Sequence, residues 1–210
     1  GPMNQGFRQT PASGVVLILL LAALWECSVR FDFVRADAWP ALSDIGRVFF
    51  DSARSGELLR EAGGSLWRML EGFVIGSLAG LATGILIGVS PKAFSTLDLS
   101  LQVLRVIPIP ALIPPAILFL GLDDAMKVTI VALAAFWPVM LNSFHAVRNI
   151  DEAFVETART FNVPTAHTLR SVVVPASAPL IMAGLRISVA SALITTVVAE
   201  MIVGSGGIGA

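Results

Sequence analysis

The sequence predicts an all-α fold, a polytopic bundle of membrane-crossing helices, on three observations. Hydrophobic residues fill 55% of the 210 positions and charged residues only 14%, with a mean hydropathy of +0.81, a balance too apolar for an ordinary soluble domain. The apolar residues gather into long runs, not into the short alternating segments of a membrane β-barrel. Five runs serve as candidate spans against the roughly 20 mostly apolar residues that cross a hydrocarbon core: 14–29, 66–89, 101–122, 126–147 and 176–203.

The same composition excludes other classes. A formal net charge of -1 and the lack of a long Lys/Arg run argue against a nucleic-acid partner. The single cysteine, Cys27, rules out an intrachain disulfide and reads as a small apolar residue near the end of a span. No G-x-x-x-x-G-K-[ST] phosphate loop is present, so ATP is not bound by that route. The apolar segments hold no paired carboxylates, metal cluster or nucleophile beside a base, and His145 and His167 lack metal-ligand spacing. The chain is therefore expected not to be an enzyme and to carry no cofactor of its own.

Residues 1–13 form a tail, and Gly1-Pro2 before Met3 reads as the remnant of a cleaved tag. The span 14–29 is a retained helix, since no small-residue cleavage site follows it. The external segment 30–65 mixes charges with Ile45, Val48, Phe49, Leu58 and Leu59, which suggests an amphipathic helix on the membrane surface; a solvated linker is the alternative. The core then runs over 66–210.

Its first span carries Gly72, Gly76, Gly80, Gly84 and Gly88. A glycine at every fourth position makes a slowly drifting stripe without side chains, along which another helix can approach closely. The sequence leaves open whether that helix belongs to this chain or to a second copy. The span 101–122 holds Pro108, Pro110, Pro114 and Pro115, each removing an amide donor, so an unbroken helix is improbable there. Irregular backbone at membrane depth is tolerated where it lines a cavity, which makes Arg105, Pro108, Pro110 and Pro114 candidates for a pathway, with a simple kink as the alternative. Arg186 and Glu200 lie in the last span, where ionisable residues point to a pathway or a buried partner. Roughly 21 Å apart along a straight helix, they cannot pair with each other. Snorkelling is the alternative for Arg186; Glu200 faces a partner helix or a docked protein.

The charged stretch 151–175 sits between apolar runs. Within it Glu156, Ala158, Asn162, Val172, Val174 and Pro175 match in spacing the pattern E-A-A, three residues, G, nine residues, I-x-L-P. This resembles the EAA loop of ABC importer permeases. Arg105-Val-Ile-Pro-Ile-Pro-Ala-Leu-Ile-Pro, Gly184-Leu-Arg186, Ala199-Glu-Met-Ile202 and Ser205-Gly-Gly-Ile-Gly209 are similar to the nitrate, sulfonate and taurine branch of that family, with Val106 where a first proline is frequent.

The resemblance implies a type I importer permease fold with a sixth span after the glycine-rich turn, so the sequence is expected to be partial. It implies that the loop 148–175 forms two short cytoplasmic helices that couple to an ATPase. Glu156 would seat the first helix, Ala158 would allow close approach, and Thr157 replaces a small residue. Phe161 is either a knob for the partner or an anchor of the loop itself. Asn162, in the family's glycine position, can enter the left-handed region, and Pro164 suits the first turn of a second helix. The implied partners are a second permease copy, two ABC ATPase subunits that bind ATP and Mg, a periplasmic or lipid-anchored substrate-binding protein, and the lipid of a bacterial inner membrane. A cytoplasmic loop would put Arg30, Arg35, Arg47, Arg54 and Arg60 outside, so the Lys/Arg count does not support that orientation. An ion-coupled carrier or a non-transporting scaffold are the rival classes. Against the first, no carboxylate and histidine relay is present.

Overall fold

A computed structural model describes residues 11–31, 39–150, 152–204 and 206–209. Among these there are helices and turns and no strand. The tail up to residue 10, residues 32–38 of the external segment, and the motif positions Asp151 and Ser205 lie outside the described residues. The chain divides into two compact units, Gly1–Arg60 and Glu61–Ala210.

In the first unit, α1 (Pro11–Arg30) exposes every side chain from Val15 to Leu21, an apolar surface suited to acyl chains. After it, α2 (Leu42–Ser55) exposes Ile45, Val48, Phe49 and Phe50, while Asp44, Arg47, Asp51 and Arg54 fall on the opposite side at about 100° per residue. Trp25 stacks on Trp39 at 4.6 Å between ring centroids, and its indole N–H donates to the Pro40 carbonyl at 3.1 Å. The Glu26 carboxylate accepts from the Ser43 hydroxyl at 2.7 Å and pairs with Arg30 at 2.8 Å. These contacts fix the start of α2 to the end of α1. Gly56 then ends α2 at φ 77°, a left-handed stop that glycine takes without a Cβ penalty. The expected single segment 30–65 is thus divided, and its last part already belongs to the next helix.

The second unit is built on three long helices, α3 (Glu57–Val89), α6 (Asp124–Arg148) and α9 (Val174–Val203). Three helical stretches are long and apolar enough to cross a membrane, Glu57–Val89, Asp124–Arg148 and Arg170–Val203. The glycine stripe of α3 lies along α6 of the same chain. A methyl group on Gly72 would meet the Val131 Cβ at 2.7 Å, on Gly80 the Phe136 carbonyl oxygen at 2.6 Å, and on Gly88 the Val147 Cβ at 2.9 Å; on Gly76 and Gly84 it would run into the carbonyls of Ala132 and Met140. Each step of four along α3 is matched by a step of four along α6, so the two helices run parallel. α9 is antiparallel to α6: Gly184 lies against Pro138 and Asn142, and the Ser188 hydroxyl donates to the Ala135 carbonyl at 2.9 Å. Ser77 of α3 reaches the same hydroxyl at 3.5 Å, which ties all three helices at one level.

Although the parallel course of α3 and α6 requires residues 90–123 to run back along the length of the bundle, the expected span 101–122 is not one continuous helix. It is replaced by α4 (Pro91–Leu104), a 3-10 turn (Ile109–Leu112) and α5 (Ile113–Leu120). Pro108 starts the 3-10 turn with extended backbone, and a proline cannot supply the amide that would carry the α4 ladder onward. The apolar stretch Ile109–Leu120 is about 18 Å long, well short of a ~30 Å core. α4 is held to α6 by Phe94, stacked on Phe144 at 5.2 Å under the Arg148 guanidinium at 4.3 Å. α5 packs at the other end of α6, where Ile113, Met126, Ile130 and Ala199 form a closed core.

Candidate functional site

The motif-bearing stretch joins α6 to α9 at one end of the bundle. It consists of α7 (Glu152–Thr160), a turn, α8 (Thr165–Thr168) and a π turn (Leu169–Val173) that runs directly into α9. Asn162 has φ 51°, the one positive φ among described non-glycine residues; its short amide side chain tolerates that region. The Val163 amide donates back to the Ala158 carbonyl at 3.0 Å, closing α7 with the six-to-one bond of a left-handed helix stop. Pro164 stands just ahead of α8 and not within it: its carbonyl accepts the first helical bond, from the Thr168 amide at 2.9 Å. The second short helix is continuous with α9, because Pro175 has no amide for the Ser171 carbonyl and the ladder widens through the preceding residues.

This turn geometry decides what the loop presents. Ala158 is buried, whereas Glu156, Thr157, Asn162, Pro164 and Pro175 are exposed. Phe161, a large aromatic, is 76% exposed. Val172 is half-buried and Val174 exposed.

At the opposite end of the bundle Glu200, expected on a pathway, is fully enclosed. Its carboxylate accepts from the Ser65 hydroxyl at 2.8 Å, from Arg68 Nη2 at 2.8 Å and from the Gly209 amide at 3.2 Å. Arg68 also donates to the Gly206 carbonyl at 3.1 Å and pairs with Asp124 at 3.3 Å. The Gly207 amide donates to Glu61 at 2.7 Å, and Lys127 Nζ to the Gly206 carbonyl at 3.1 Å. A Cβ on Gly207 would collide with the Glu200 carboxylate itself, so only glycine lets the turn lie this close. Sequence reasoning missed Arg68, Ser65, Glu61 and Lys127. A signal was available: Arg68 opens one span and Glu200 closes another, so spans crossing in opposite senses bring both to one depth.

Arg105 and Arg186 are both exposed, as are Pro108, Pro110 and Pro114. Arg105 shares a crevice of about 240 Å³ with Phe94, Met140, Leu141 and Phe144. Neither arginine comes near the Glu200 cluster, which lies at the far end of α9.

Residues 72–210 match the family of binding-protein-dependent transport system inner membrane components. The chain belongs to that family. It is 35% identical over 196 residues to the putative aliphatic sulfonates transport permease protein SsuC of Bacillus subtilis (strain 168), covering 93% of this chain and 71% of that protein. It is also 35% identical to the protein of the same name from Escherichia coli (strain K12), over 90% of this chain and 72% of that one. With the nitrate import permease protein NrtB of Leptolyngbya laminosa it shares 33% identity over 99% and 76%. This permease therefore carries its family match across the three-helix unit, the exposed loop and the glycine-rich turn.

Proposed function

We propose that the chain is the membrane-spanning subunit of an ATP-driven importer in a bacterial inner membrane, that it pairs with a second copy, and that the stretch 152–175 couples it to two ATPase subunits. ATP and Mg belong to those partners. A periplasmic or lipid-anchored binding protein delivers the solute at the end closed by Glu200 and Arg68. The relatives' names support a small sulfonate- or nitrate-type substrate.

The observation that carries the reading is the build of the loop. Glu156, Thr157 and Phe161 stand exposed on a helix whose end is fixed by Asn162 and by the Val163 amide bond to Ala158. That assembly passes through a π turn into α9 without a flexible linker. A partner gripping α7 would thereby move α9, and α6 with it, because Gly184 meshes with Pro138 and Asn142. Nucleotide would bias the bundle from one side and loaded binding protein from the other.

Capture of the tagged chain from its host in mild detergent tests this. An ATPase subunit is expected in stoichiometric amount with the wild type and is expected to be lost with Glu156→Arg, while membrane insertion is unchanged. Recovery of the chain alone from both, or normal uptake by the variant, would overturn the proposal.

A further inference from the structure

Arg105 and Arg186 stand apart from the charge cluster around Glu200. Arg186 is exposed, and neither it nor Arg105 has a hydrogen-bond or ion-pair partner among the described residues. Arg186 lies about 18 Å from Val174 and about 26 Å from Val203 along α9, close to the middle of a helix long enough to cross a bilayer. It shares a face with Met182 and Leu193, 62% and 52% exposed, opposite to the face on which Gly184, Ser188 and Ala192 are buried. Arg105 stands at nearly the same level. It lines the crevice with Met140 and Leu141 of α6, and Gly184, two residues before Arg186, abuts Pro138 and Asn142 of that same turn.

A guanidinium stays charged at any accessible pH, and one left in hydrocarbon at this depth is costly. Such residues face a water-filled cavity or a counter-charge. Snorkelling does not reach an interface from the centre of α9. We infer that the faces bearing Arg105 and Arg186 line an aqueous passage, and that the two form a positive belt at membrane depth selecting small monovalent oxyanions, the charge class of a sulfonate or nitrate. A belt of fixed positive charge in low-dielectric walls concentrates anions and repels cations. With no carboxylate at this level on α3, α6 or α9, the passing anion itself supplies the compensation. This rests on the permease reading but assigns what that reading leaves open, the residues that sense the charge of the cargo.

The test uses the full transporter with its ATPase partners, reconstituted in zwitterionic lipid, in a Cys27→Ser background with Arg186→Cys. The thiol is challenged from the aqueous phase with an anionic sulfonatoethyl and a cationic trimethylammonioethyl methanethiosulfonate, each rate normalised to a free thiol. Labelling is expected with an anion preference of about tenfold, which Arg105→Gln lowers severalfold. The reciprocal pair, Arg105→Cys with Arg186→Gln, gives the same result if the belt is shared and guards against a local folding defect. Absence of labelling would mean that the face meets lipid, its phosphates or a dry interface, and would overturn the inference, as would a preference indifferent to the second arginine. Retention of the ATPase in those preparations keeps the permease reading separate, since its loss alone would strike that reading.

Discussion

The two ends of the three-helix unit are built on opposite principles. Where α3 begins and α9 finishes, the central charges are enclosed and answered: Glu200 by Arg68, Ser65 and the Gly209 amide, and Arg68 in turn by Asp124 and the Gly206 carbonyl. Where α6 finishes and α9 begins, order comes from backbone turns and short-range hydrogen bonds within the stretch, and the side chains of Glu156, Thr157 and Phe161 are exposed. The first end spends its polar groups on itself and keeps the final turn against the bundle. The second leaves Glu156 and Phe161 exposed, as a surface meant for another protein requires. Substitutions at the first end should therefore cost stability, and at the second, partnership.

The sharpest break of that contrast is Glu200→Ala, which leaves the enclosed Arg68 with only the solvent-exposed Asp124 as counter-charge. It should lower unfolding stability by about 3–5 kcal/mol, read as a fall in thermal midpoint in detergent, whereas Arg68→Met with Glu200→Leu together should cost much less. If the single substitution is as mild as the double, the ion pair is not what closes that end. Next in size is Gly80→Ala, whose methyl would stand 2.6 Å from the Phe136 carbonyl oxygen. A loss of about 1–3 kcal/mol is expected by overpacking, against no loss for Gly46→Ala in α2, where nothing lies within 4 Å. Ser188→Ala removes the bond to Ala135, and about 0.6 kcal/mol is expected from denaturation by a graded detergent series. Smallest is Phe161→Ala, within about 0.5 kcal/mol of wild type, although ATPase capture should fall. A stability loss comparable to that of Gly80→Ala would show Phe161 to be an anchor of the loop and not a knob.

Some of this was legible because its signal is periodic or local. The spacing from Gly72 to Gly88 could announce a bare stripe, since period four needs no tertiary knowledge, but it could not name α6 as the neighbour or give the parallel sense. Four prolines between 108 and 115 could announce a break. They could not say that α4 would stop at Leu104 and lie against Phe144, because stacking between Phe94 and Phe144 joins residues far apart in the chain. Arg68 as the partner of Glu200 was the plainest miss. Each alone reads as a charge near a span end, and only opposed helix directions turn two such charges into one buried pair.

By itself, then, the sequence determined that the chain is helical and membrane-spanning, where its charged loop interrupts the apolar runs, and which glycines could bear close approach. These follow from hydropathy, helical period and backbone stereochemistry, all of which act over a few turns. Only the tertiary structure decided that the stripe meets α6, that the third apolar run is split into two short helices and a 3-10 turn, that Glu200 is enclosed while Arg186 stands open, and that the loop continues into α9 through a widened turn. Those outcomes depend on which helices pack together and in what direction, and packing is a property of the whole bundle that no local pattern encodes.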